Sequence, residues 1–293
     1  MPFSESFLKS QLSFLKPFVK GSSLDIVRKG QRRIGEIMAS KNLRDVVISI
    51  ESHEHYDAAW VIPKDEIRSG VVLYLHGGGY TCGGIDYAKG FGSVLAAETG
   101  TRVFCVAYRL APENPFPAAL EDARDAYFRL ISHGYAAESI VLCGESAGGG
   151  LAYSLCLDLK SKNEKLPAGI IAISPWTDLS SSGESYKTNA DKDPSMTVEQ
   201  LGFFADCYSK DRENPLVSPL FGDLSDLPPS LIFVGGDEIM LDDSQLIHKK
   251  LISAGSKSTL VIADGLWHAY ILYTLKSSFP LLHKTLYQIH HLL

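Results

Sequence analysis

Ser146 stands inside Gly144-Glu145-Ser146-Ala147-Gly148, with an aliphatic run before it and a helix-compatible run, Leu151 to Leu159, after it. Strand, tight turn and helix in that order hold a G-x-S-x-G serine out at the end of a sheet. Glycine at positions 144 and 148 relieves the crowding of such a turn. A serine hydroxyl is a poor nucleophile at neutral pH. Its chemistry needs an adjacent base and a place for developing negative charge.

His76-Gly77-Gly78-Gly79 follows the continuous apolar run Val71 to Leu75. A loop of bare backbone there lets amides approach a substrate and donate to an oxyanion, together with the amide of the residue after the nucleophile, Ala147. A phosphate-binding turn would want a P-loop lysine pattern, and the chain has none.

Nine histidines compete for the base. Only His268 falls in a loop after the last expected strand and before the last expected helix. His283, His290 and His291 lie in or beyond that helix, and His133 and His248 belong to outer helices. An order of serine, acid, histidine along the chain selects His268 and places the acid between. Val234-Gly-Gly-Asp237-Glu238 satisfies this, with Asp237 ranked above Glu238 as the first acid past a strand. Asp237 would hold the tautomer of His268 and stabilise its imidazolium. Asp242 and Asp243 suit the start of the next helix, where carboxylates favour the macrodipole.

The elements that must position these residues read as alternating strands and helices. Residues 46–50 and 58–62 predict two antiparallel-type strands, and buried runs at 71–75, 102–108, 168–173, 231–234 and 259–262 predict further strands beside the one entering the elbow. Helices are expected over 86–99, in a stripe through Leu120 to Ile131, after the elbow, over 243–254, and from about Tyr273. Buried strands alternating with helices predict a mainly parallel sheet covered on both faces, with ligand sites at the strands' carboxyl ends. An amphipathic helix is expected from Phe3 to Lys20 and a second over 30–43. Packing onto the domain, covering an apolar cleft and anchoring to a membrane are the three readings of the first. Residues from Ser180 to about Leu216 interrupt the alternation with one helix, at 198–208, and read as an insertion on the sheet.

The 293 residues suffice for one large α/β domain or two modest ones, and 45% hydrophobic with 21% charged residues is ordinary for a globular chain. A net charge of −6 without a long basic run argues against nucleic acid. No window is apolar for the length of a membrane span, and no signal peptide is apparent. Five cysteines without C-x-x-C favour a reduced, cytoplasmic protein, with Cys105 and Cys143 as small buried hydrophobes. His53-Glu-His55 reads as ordinary histidines at a hairpin end rather than a metal site. Cys82 reads as a small residue near the cleft, and Tyr80 and Trp176 as either pocket lining or core.

His76-Gly-Gly-Gly, Tyr108-Arg-Leu-Ala-Pro-Glu, Phe116-Pro-Ala-Ala-Leu-Glu-Asp122, Gly144-Glu-Ser-Ala-Gly-Gly149 and Ser174-Pro-Trp-Thr-Asp178 resemble the motifs of the bacterial hormone-sensitive-lipase-like carboxylesterases. The resemblance covers roughly residues 46 to 293. It implies an α/β-hydrolase core of residues 46–179 and 217–293, with cap helices from 1–45 and a cap insertion at 180–216. It also implies hydrolysis of short-to-medium acyl esters without cofactor or metal, Ser146, Asp237 and His268 as triad, and Gly78, Gly79 and Ala147 as oxyanion donors. Pairing of an exposed edge strand into a homodimer is carried by the resemblance alone. The family usually has Asp where this chain has Glu145, and its acid and histidine motifs are matched more loosely. Two rival activities stand beside the esterase: a small-molecule receptor on the same fold that binds without turnover, and an amidase or arylformamidase.

Overall fold

The computed structural model describes residues 9–13, 23–65 and 69–273. Residues 9–13 are helical; the rest of the amphipathic segment from Phe3 to Lys20, and the helix expected from about Tyr273, lie outside the described residues. Among the described residues eight strands form one sheet: β1 (Val46–Ser52), β2 (Asp57–Pro63), β3 (Val71–Leu75), β4 (Arg102–Ala107), β5 (Ile140–Glu145), β6 (Gly169–Ile173), β7 (Ser230–Gly235) and β8 (Ser258–Ala263). Their spatial order is β1-β2-β4-β3-β5-β6-β7-β8. β1, β2 and β4 pair antiparallel, and every pairing from β4 through β8 is parallel.

The helices are α1 (Leu24–Asn42), α2 (Ile85–Thr99), α3 (Ala118–Ser132), α4 (Ala147–Ser161), the single turn α5 (Ser185–Thr188), α6 (Val198–Tyr208) and α7 (Leu241–Ser253). Strands β3, β5, β6 and β7 are buried along their whole length, which is why each reads as an unbroken apolar run rather than an alternation. The edge strands β1 and β8 carry exposed residues between buried or half-buried ones.

Two features of the fold bear directly on the site. Helix α1 begins six residues before the expected start, because Gly30 lies within the helix instead of opening it. Its close approach to α2 depends on Gly35, where an added Cβ would stand 2.1 Å from the Asp86 carbonyl oxygen. The other feature is the insertion at 180–216, which contains no strand and two helices. A capping box starts α6: Thr197 Oγ1 accepts the Gln200 amide and Gln200 Oε1 accepts the Thr197 amide, each at 3.2 Å.

Candidate active site

Five neighbouring strands, β3, β5, β6, β7 and β8, each deliver one part of the site just past their carboxyl ends. The elbow after β5 puts Ser146 at φ 55° and ψ −122°. Such a conformation costs of order 1–3 kcal/mol for a non-glycine residue. Backbone bonds hold it there: the Ser146 amide donates to the Ile173 carbonyl at 2.9 Å, and the Ser146 carbonyl accepts from the Trp176 amide at 2.9 Å. Gly148 is required by close approach, since a Cβ there would meet the Leu75 carbonyl oxygen at 2.0 Å. Ala147 opens α4, so its amide has no intrahelical acceptor and the positive end of the helix dipole faces the same region.

After β3, the amides of Gly78 and Gly79 donate to no acceptor among the described residues. The loop is braced from within. His76 is fully buried, donates from Nδ1 to the Gly77 carbonyl at 2.7 Å and accepts the Gly84 amide on Nε2 at 3.2 Å. Its ring stacks on Tyr108 with centroids 4.2 Å apart, and the Tyr108 hydroxyl donates to the His76 carbonyl at 2.6 Å. Burial pushes the imidazole down to about 4, so at neutral pH it is an uncharged brace.

Glu145 is the other brace. Its carboxyl, almost wholly buried, accepts from the Gly77 amide and the Tyr74 hydroxyl and thereby ties the elbow to the β3 loop. Burial raises its pKa to about 7 against the opposing effect of these donors. The longer acid thus has a definite task at a position where the resembled family usually has Asp. Glu145→Ala is expected to lower kcat about tenfold or more, because one oxyanion amide is commonly worth two to three orders of magnitude and a loosened loop misplaces it. Steady-state rates with p-nitrophenyl butyrate check this.

The acid facing the histidine is Glu238. His268 Nδ1 donates to Glu238 Oε2 at 3.0 Å, and both residues are buried. Asp237, the acid preferred from sequence, turns the other way and pairs with Lys9, which also donates to the Gly265 carbonyl at 3.2 Å. Adjacent side chains on this turn leave on different sides, and only the second one enters the protein. Glu238 is then held from several directions. Ser174 Oγ donates to Glu238 Oε1 at 2.6 Å while accepting the amide of Ala269 at 3.0 Å, and the Gly235 amide donates to the same oxygen.

The insertion clamps this turn from above. Asn189 Nδ2 donates to the carbonyls of Gly236 and Glu238, at 3.2 and 2.9 Å. Asp193 accepts the Ile239 amide on Oδ2 at 3.0 Å and the Ser195 amide on Oδ1 at 2.8 Å. Sequence reasoning passed over Ser174, Asn189 and Asp193. A serine directly after a buried strand, within Ser174-Pro-Trp-Thr-Asp178, was the one available signal for the first.

Burial lowers the pKa of His268, but the hydrogen bond and charge of Glu238, with Asp193 and Glu145 behind it, outweigh burial and raise it overall. A base must be neutral to accept a proton. Activity is therefore expected to fall on the acid side through a pKa above the ordinary histidine value of about 6.5. Removing the charge at Glu238 should move that limb to lower pH, as a kcat/KM profile would show.

Ser146 and His268 lie on one cavity of about 330 Å³. Leu12, then Val27, Ile34 and Met38 of α1, wall one side; Met196 and Phe204 of the insertion wall another. Cys82 also lines it. Tyr80 and Trp176 do not: Tyr80 stacks on Tyr208 with centroids 3.7 Å apart, and Trp176 is fully buried in the core. Asp243, in the first turn of α7 as expected, is buried, and its carboxyl accepts the amides of Thr177 and Asp178, so it serves the loop after β6. His53, at the β1–β2 turn, packs its ring 5.0 Å from that of Tyr56.

Residues 72–272 match the model of a family described by its α/β-hydrolase fold. An acetyl-hydrolase of Streptomyces hygroscopicus is 36% identical over 221 residues, 75% of this chain and 74% of that one. An esterase of Acinetobacter venetianus is 35% identical over 206 residues, covering 69% of this chain and 68% of its own. Among solved structures, an esterase from the bacterial hormone-sensitive lipase family superposes with a TM-score of 0.85 at 32% identity, over 99% of this chain and 98% of that one. Sheet topology, motif order and these likenesses agree: the chain belongs to the α/β-hydrolase fold family and, within it, to the hormone-sensitive-lipase-like carboxylesterases.

Proposed function

We propose that the chain hydrolyses short-to-medium acyl esters through a serine-bound acyl intermediate, with Ser146, His268 and Glu238 as the triad. The supporting observation is the buried Glu238–His268 hydrogen bond beside a cavity that also contains Ser146. With Nδ1–H committed to Glu238, the lone pair of Nε2 is the free basic site on the ring. His268 takes the Ser146 proton as Oγ attacks the ester carbonyl. The carbonyl oxygen becomes an oxyanion, received by the amides of Gly78, Gly79 and Ala147. Collapse expels the alcohol, which leaves with the proton from His268. Water, deprotonated by His268, then attacks the acyl-serine and releases the acid and Ser146.

In the same reading residues 1–45 and 180–216 act as a cap, since Leu12, α1 and α6 supply cavity wall. The ester's apolar part lies against that wall, where about 25 cal/mol is gained per Å² of apolar surface removed from water. Among the described residues no helix is long and apolar enough to cross a membrane.

Rapid mixing with p-nitrophenyl butyrate tests the proposal. The expected result is steady turnover, preceded by a burst of p-nitrophenolate equal to the enzyme present if deacylation is the slower step. Saturable binding without any release of p-nitrophenolate would restore the receptor reading.

A further inference from the structure

Asp193 is a buried acid, 1% exposed, in the insertion between α5 and α6, and the proposed chemistry does not use it directly. Its two carboxyl oxygens face different parts of the site. Oδ2 accepts the amide of Ile239, the residue after Glu238, at 3.0 Å. Oδ1 accepts the Ser195 amide at 2.8 Å, the Ser195 hydroxyl at 2.7 Å and the Met196 amide at 3.2 Å. Ser195 and Met196 line the cavity that contains Ser146 and His268. One carboxylate thus spans from the turn that carries the acid to the wall of the cavity.

The residue type follows from the donors. An Asx turn alone, with Oδ1 set on residues 195 and 196, asks nothing of the second oxygen and is made equally well by asparagine. The bond from Ile239 is what such a turn does not require. With donors aimed at both oxygens, only a carboxylate offers an acceptor at each end. An asparagine of the same shape turns its NH2 toward one set of donors and leaves that set unmet. Asn189 gives the contrast. It holds the same turn through the carbonyls of Gly236 and Glu238, and it is not part of the cavity wall.

We infer that Asp193 is a positioning residue with two effects: it sets the turn that presents Glu238 to His268, and it fixes the wall at Ser195 and Met196, so that acid placement and acyl selectivity depend on one side chain. The inference rests on the esterase reading and deepens it. The charge of Asp193 also reaches the base. Burial lowers the pKa of His268, the bond and charge of Glu238 raise it most, and the charges of Asp193 and then Glu145 add to the rise. Without the Asp193 charge the imidazolium is less stable, so the base stays neutral to a lower pH.

The test compares Asp193→Asn and Asn189→Ala with the wild type on p-nitrophenyl acetate and hexanoate, with thermal midpoints reporting that each variant is folded. In Asp193→Asn three quantities should change together. kcat falls about tenfold, since a misplacement of about 1 Å that originates away from the reacting atoms can cost about a hundredfold. The hexanoate-to-acetate ratio of kcat/KM falls about threefold, close to the contribution of one buried methylene. The acid limb of the kcat/KM profile moves to lower pH. Asn189→Ala should lower kcat and leave the ratio unchanged.

A folded Asp193→Asn with wild-type kcat, ratio and acid limb would overturn the inference. An unchanged ratio beside a fallen kcat overturns it too, because Asp193 is then only a second clamp on the turn. An equal change of ratio in Asn189→Ala does the same, because the wall then follows the turn without Asp193. Should Asp193→Asn not fold, Asp193→Glu keeps the charge on a longer arm: its acid limb should stay in place while kcat and the ratio fall, and wild-type values of both count against the inference. Absence of acetate and hexanoate hydrolysis by the wild type counts against the esterase reading, whereas hydrolysis that these substitutions leave unaltered counts against Asp193 alone.

Discussion

Ser146→Ala is expected to lower kcat on p-nitrophenyl butyrate by about six orders of magnitude, to the residual level that binding and the oxyanion donors sustain. Loss of the nucleophile from a serine triad has an effect of about that size, and losing further triad members adds little because they act as a unit. The substitution removes one buried hydroxyl and leaves the elbow's backbone bonds in place, so folding should survive it. KM should change much less than kcat, since the apolar wall of the cavity is untouched. Steady-state kinetics on carefully purified variant protein check this, with the thermal midpoint as the control for folding.

The second large effect separates two neighbouring acids. Glu238→Gln is expected to lower kcat by about four orders of magnitude, because an amide can present its N–H to Nδ1 and stabilise the wrong tautomer. It also removes the charge that offsets imidazolium formation in a buried site. Asp237→Asn should stay within about threefold of wild type, since its partner is a part-exposed Lys9 and ion pairs of that kind contribute about 1 kcal/mol or less. The pH profiles should differ as well. The acid limb of Glu238→Gln shifts downward while that of Asp237→Asn stays in place. Equal and large losses in both variants would show that the whole turn, and not one carboxylate, is what His268 depends on.

Much of this site was legible in the chain because backbone geometry leaves little freedom in residue type. A tight strand–turn–helix elbow needs glycine beside the serine, and a loop of free amides needs bare backbone, so Ser146, Ala147, Gly78 and Gly79 stand in short motifs directly after buried strands. His268 could be found by elimination among nine histidines. The acid could not be decided in the same way. Asp237 and Glu238 are adjacent and chemically alike, and their difference lies in which side of the turn each leaves. That is fixed by Ser174, the Gly235 amide, Asn189 and Lys9, all distant in sequence from Glu238 except Gly235.

The fold shows the same division. Strand positions were readable wherever burial on both faces made a continuous apolar run, and β1 and β2 were readable as an antiparallel-type pair. The start of α1 was not, because a glycine that looks like a helix boundary can lie inside a helix packed on another element. Glu145 needed the three-dimensional arrangement too. In sequence it is a substitution within a motif; in the structure it joins the elbow to the loop after β3 through Gly77. The segment after Ser180 read only as an insertion, yet its Asn189 and Asp193 hold the turn that carries the acid.

Acyl transfer through Ser146 is tested most directly by trapping the intermediate. Wild-type enzyme mixed with p-nitrophenyl butyrate, quenched in acid within milliseconds, digested and analysed by mass spectrometry should carry one butyryl group, on the peptide containing Ser146. Ser146→Ala should carry none. A butyryl group on any other residue, or undiminished turnover by Ser146→Ala, would contradict the account.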